Sequence, residues 1–210
     1  MKTILTSLLL LSTCLLQAQD KYTSAMLKNI EALYKSKTAE EYQATVNAFD
    51  RIAATEKTRF EPFYYAAFGN IMMAVNETTP GRKDNYLDLA SADVDKAKAI
   101  KPNDSEIIAL EGFVHMIRVT VDPQSRGQEY SGKAFTAFNK AVALNPENPR
   151  ALALLGQMQL GTARFFGNDS SEACATSGKA LEKFASYKPN STLAPHWGQV
   201  MAEEVKAACK

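Results

Sequence analysis

The sequence predicts an all-α protein, a right-handed α-solenoid of about nine helices stacked as antiparallel pairs. Three observations carry this. Apolar residues recur at steps of three and four through most of the chain, the period of a helix with one buried face. Gly69, Gly112, Gly156 and Gly198 recur at spacings of 43, 44 and 42 residues, each within an apolar stretch. Pro102, Pro146 and Pro189 keep step with them at 44 and 43. A period of this size marks a helical unit that cannot bury its apolar face alone and must stack on copies of itself.

Taken in order, the first eighteen residues, MKTILTSLLLLSTCLLQA, carry Lys2, an apolar run from Ile4 to Leu16 and a small residue, Ala18. They read as a secretory signal peptide cleaved after Ala18, leaving 19–210 as one domain in the periplasm or outside the cell. A lipoprotein anchored through Cys14 is the alternative, disfavoured because Thr13 stands where a lipobox has Gly or Ala. Next, Met26, Ile30, Leu33 and Tyr34 share a helical face. A second helix runs from Thr38 to about Glu56, with Glu40 and Glu41 in its first turn as the helix dipole prefers. The aromatic stretch FEPFYYAAFGNIMMAV places Pro62 where a first helical turn tolerates it.

After a break at Asn76 to Lys83, a helix runs to Pro102, and Asp104 or Ser105 caps the next. Arg118 to Val121 reads as a helix end running into a loop, Asp122 to Gly132. The helix KAFTAFNKAVALNP follows, then PRALALLGQMQLGTARF, a loop at Gly167 to Ser171, a helix to Pro189, and a closing helix, LAPHWGQVMAEEVKAAC.

The second helix of each unit repeats a pattern of small and apolar residues ending in proline: Ala90, Val94, Ala97, Pro102, then Ala134, Phe138, Ala141, Pro146, then Ser177, Leu181, Phe184, Pro189. This resembles the tetratricopeptide repeat over about residues 60–208. Small residues let paired helices approach closely, and larger ones fill the gaps between pairs. The units are longer than that family's, and the extra residues are expected between the two helices of a unit, as loops gathered along one edge where binding residues often lie, together with an added turn of helix.

The resemblance implies a groove lined by the first helix of each pair. Its register gives Phe63, Asn70 and Met73, then Glu106, Phe113 and Met116, then Arg150, Gln157 and Leu160, with His196 and Gln199 from the last helix. That mixture of aromatic, thioether and amide groups suits a protein or peptide partner. Burial of the same aromatics by the amino-terminal pair and the closing helix would leave no groove.

Composition removes several classes. Loss of Lys2 with the leader takes the formal charge from +1 to 0, with no basic run for nucleic acid or anionic lipid. Gly127 to Lys133 has the spacing of a phosphate-binding loop, but Ala134 stands where a magnesium-holding hydroxyl belongs. His115 and His196 have no second ligand at helical spacing, and Met26, Met72, Met73, Met116, Met158 and Met201 sit among apolar residues as core or groove filler, so no metal or cofactor is expected. Glu203 and Glu204 read as a solvated face, and no catalytic constellation emerges. Asn76, Asn168 and Asn190 open Asn-x-Ser/Thr triplets, read as loop and cap chemistry. Cys174 and Cys209 are either a disulfide tying down the last helix or two half-buried thiols.

The leading expectation is thus an exported scaffold binding a protein or peptide without catalysis. The alternative is a small-molecule-binding helical protein, and a hydrolase working from the loop edge comes third.

Overall fold

The structure, a computed structural model, describes residues 20–209; the expected leader, Cys14 and the cleavage point at Ala18 lie outside the described residues. Nine helices and no strand are found among the described residues: α1 (20–35), α2 (Ala39–Thr55), α3 (Glu61–Asn76), α4 (Pro80–Ile100), α5 (Ser105–Val119), α6 (Pro123–Leu144), α7 (Pro149–Phe166), α8 (Ser171–Ser186) and α9 (Gln199–Ala207). None is long and apolar enough to cross a membrane.

Local chemistry fixes the starts. Thr38 and Glu41 form a reciprocal capping box on α2. Asp104 caps α5 through the backbone N–H groups of Glu106 and Ile107, and Asn148 caps α7 through those of Arg150 and Ala151. These two starts are also joined to each other, because the Asn148 amide donates to Ser105 Oγ at 2.9 Å and Ser105 Oγ donates to the Ala141 carbonyl at 2.8 Å. One unit is thereby pinned to the next.

Consecutive helices pack as hairpins, α3 on α4, α5 on α6 and α7 on α8. Between hairpins α3 touches α5 and α5 touches α7, which makes the first helices of the pairs one continuous layer. The repeated small residues lie in the hairpin seams: Ala90, Ala97, Ala134, Ala141 and Ser177 are fully buried, with Val94 and Phe138 between them. A Cβ added at Gly112 would overlap the Phe138 ring, and one at Gly156 would overlap the Ser177 hydroxyl. Only glycine permits that approach.

Several expectations need correcting. Gly69 faces Val46 of α2 and Leu33 of α1 rather than its own hairpin partner, and Gly198 is a left-handed turn (φ 102°) at the start of α9. The even spacing therefore joins residues with different tasks. The expected loop at Asp122 to Gly132 is the first part of α6, held as helix by the Asp122 cap, by Arg126 bonding Asp84 of α4, and by Tyr130 lying over His115. The break at Asn76 to Lys83 shrinks to three residues, since Pro80 opens α4. Extra unit length has gone chiefly into added helix, in α4 and α6 of 21 and 22 residues, and less into the loops also expected. The closing helix starts at Gln199 and not near Leu193, leaving 187–198 as an irregular strap. Cys174 of α8 and Cys209 are joined as a disulfide, with their Cα atoms 5.8 Å apart.

Candidate functional site

Where α5 and α7 end and α6 begins, three helices leave an open cleft of about 610 Å³. Each contributes one face at helical spacing: Met116, Val119 and Thr120 from α5; Gln124, Gly127, Gln128 and Ser131 from α6; Met158, Gly161, Thr162 and Phe165 from α7. Phe166 completes the lip. The wall is largely apolar, its polar groups are neutral amides and hydroxyls, and no charged side chain lines it. Gly127 and Gly161 have no atom within 4 Å of the place a Cβ would take, so both helices present bare backbone to the opening.

Phe165 and Phe166 are the most exposed large apolar residues described, at 66% and 67%, with their rings edge to face. The two phenyl rings extend the apolar wall of the cleft into an exposed apolar patch. A cleft of this size lies within the range of small-molecule sites, roughly 300–1,000 Å³.

The groove expected on the first helices is filled from within the chain. Residues 187–198 lie across α1, α3, α5 and α7. Trp197 stacks on Phe68 and Phe113, with ring centroids 4.7 and 5.9 Å apart, and its indole N–H donates to the Tyr64 hydroxyl at 3.1 Å. Tyr65 donates to the Leu193 carbonyl at 2.7 Å, and the His196 ring packs 4.2 Å from that of Tyr34. Burial raises the Tyr34 phenol to about 12 and the Tyr64 and Tyr65 phenols further, so all three are neutral hydrogen-bonding groups rather than acids. Next to the strap, a smaller, more polar pocket of about 370 Å³ opens between the starts of α3 and α5 and the 187–195 segment.

The whole arrangement is similar to a solved structure, the HusA haemophore from Porphyromonas gingivalis, with a TM-score of 0.80 and 30% sequence identity over 90% of this chain and 92% of that one. The chain belongs to the family of HusA. No family model and no curated protein matches it. Within the HusA family, the tetratricopeptide resemblance therefore describes a residue pattern and its hairpin packing, without a family match of its own.

Placed on this HusA-like fold, the expected groove residues separate. Met116 and Gln157 line the cleft. Asn70, Met73, Phe113, Arg150 and Leu160 are buried, Phe63 is half-buried, His196 is exposed on the strap and Gln199 is exposed at the start of α9. Arg150 is fully enclosed: Nε and Nη2 donate to Glu106 at 2.8 and 2.6 Å, and the guanidinium lies 4.5 Å from the Tyr187 ring centroid. Burial alone would lower its pKa, but the hydrogen bonds and charge of Glu106 outweigh that and hold it above the ordinary value. A buried pair of this kind fixes geometry more than it adds stability, and here it ties α7 to α5. Asn70 donates to Asp93 at 3.4 Å, and burial raises that carboxyl.

The α6 residues of the cleft, and those of α7 beyond Gln157, escape a reading based on the glycine register, because a loop was expected at Asp122 to Gly132 and the register stops before the end of α7. The available signal is the face Met158, Gly161, Thr162, Phe165, apolar or small at every position and ending in an aromatic doublet. The phosphate-loop spacing at Gly127 to Lys133 lies inside α6, where backbone N–H groups are committed to the helix. Among the described residues no cluster of three or more His, Cys, Asp or Glu could hold a metal ion.

Proposed function

We propose that this protein is an exported, non-catalytic carrier that takes haem or a closely related porphyrin into the cleft between α5, α6 and α7. The observation carrying the reading is that a chain of the HusA family, whose named member is a haemophore, has an open apolar cleft flanked by unshielded phenyl rings. A flat, apolar macrocycle suits bare helix backbone at Gly127 and Gly161 better than a peptide does, since it needs no backbone hydrogen bonds from the wall. The residues present fit such a cargo. The iron-ligand types on the wall are the thioethers of Met116 and Met158, while the imidazoles of His115 and His196 are turned to Tyr130 and Tyr34. Haem brings its own iron and ring; the protein's task is to bury the ring, exclude water and let it go.

Export is inferred from the apolar leader, and the Cys174 to Cys209 bond is consistent with an oxidising compartment. The small-molecule alternative is favoured over the peptide scaffold, because the strap already occupies the face a peptide would need. Titration of the purified mature protein with haem tests the reading. A saturable change in the haem absorption band with one defined stoichiometry is expected, together with quenching of Trp197, the single tryptophan. An unchanged haem spectrum at micromolar protein would refute it.

A further inference from the structure

The cleft wall carries no charge, but one end of it abuts a cluster of charged side chains. Asp84, at the start of α4, is held by two guanidiniums, accepting from Arg126 at 2.7 and 2.8 Å and from Arg118 at 3.2 Å. Arg118 also bonds Asp88 at 2.7 Å. Asp122 is turned into its own helix, where it accepts from the Ser125 backbone and hydroxyl. The neighbouring carboxylates are thus engaged. Lys83 is different: half-buried, it reaches the hydroxyl of Thr120, a cleft-lining residue, at 3.4 Å, and among the described residues it has no carboxylate partner. Beside it the α6 amino terminus enters the wall at Pro123 and Gln124, capped by the Asp122 carboxylate.

We propose that Lys83, assisted by Thr120, is the anchor for the carboxylates of the cargo, so that the cleft selects a planar amphiphile whose acidic side chains point to the α4–α5 corner and whose apolar edge points to Phe165 and Phe166. This rests on the porphyrin reading above. A lysine whose ammonium meets only a neutral hydroxyl at long range exchanges a weak contact for a charge-assisted one when a carboxylate arrives.

The test compares haem with its dimethyl ester, both delivered in the same cosolvent, on wild type, Lys83→Gln and a control, Lys140→Gln, on the exposed far part of α6. Wild type and the control should favour the diacid about three- to fivefold, the range of a solvent-accessible charge pair, and raised salt should erode the preference. Lys83→Gln should bind both forms alike, with an unchanged unfolding curve. If haem binds but wild type does not distinguish the ester, or Lys83→Gln keeps the preference, the anchor is wrong and the cleft stands. If neither form binds wild type, anchor and carrier fall together.

Discussion

Replacing Gly161 by leucine separates the cleft from the stability of the fold that frames it. Gly161 lies within α7, faces the opening and has nothing within 4 Å of its missing Cβ. A leucine there meets no protein atom at its first carbon and exchanges the worst non-proline helix former for one of the best, worth about 0.8–1 kcal/mol of helix propensity. Stability should hold or rise, by a few degrees in Tm at most for a domain of this size. Binding should not hold. The new side chain stands between Met158 and Phe165 on the same helical face, and a ring held off them loses apolar contacts worth about 1.5–3 kcal/mol for each side chain left unburied. That corresponds to at least a tenfold weaker Kd. Gly132→Leu is the matched control, because Gly132 is equally open but lies off the cleft wall. Haem titration and thermal melts on both variants provide the assay. A folded Gly161→Leu protein that binds haem like wild type would refute the placement of the site.

Three further outcomes are expected. Phe138→Ala should cost about 3–5 kcal/mol in urea unfolding, because the ring is fully buried and fills the space that Gly112 leaves open; a loss below 1 kcal/mol would mean the α5/α6 seam is not close-packed. Cys209→Ser should destabilise by up to about 4 kcal/mol in the chain-entropy account, given a sequence separation of 35 residues, and Trp197 emission should report the loosened strap before the helices melt. His115 is pushed below its ordinary pKa by burial, with Glu111 opposing that and Lys133, Arg118 and Lys98 reinforcing it. The unfolded chain therefore takes up this proton first as pH falls. Its contribution to stability is complete above the unfolded value near 6.5 and is lost as pH drops toward the folded value. His115→Gln should flatten the stability profile in that window, which denaturation from pH 7.5 to 5 would show.

The second helices were legible because each position in their pattern has one physical task, a small residue in a seam or a proline after the last turn, and those tasks recur. Caps such as Thr38, Asp104 and Asn148 were legible for the same reason. Gly198 was misread because spacing alone cannot separate a glycine that admits a neighbour from one that reverses the chain. The residues of α6 from Pro123 to Gly132 were misread because local propensity, with two glycines in six residues, was overridden by contacts from Asp84 and His115 that no local rule shows. Met116 and Gln157, named by register for a groove, line the cleft instead. Phe165 and Phe166 were not named, since an apolar doublet at a helix end reads as core until its exposure is seen.

The strap has a consequence for how the molecule comes apart. In an array where each unit meets only its neighbours, the ends fray and the middle can outlast them. Here Tyr34 meets His196 across 162 positions of chain, and Tyr65 meets Leu193 across 128. First and last segments are clasped together, so neither can peel away while the other stays. Unfolding should accordingly occur as one concerted event, and a truncation before Leu193 should cost the amino-terminal helices their order as well as the carboxyl-terminal ones.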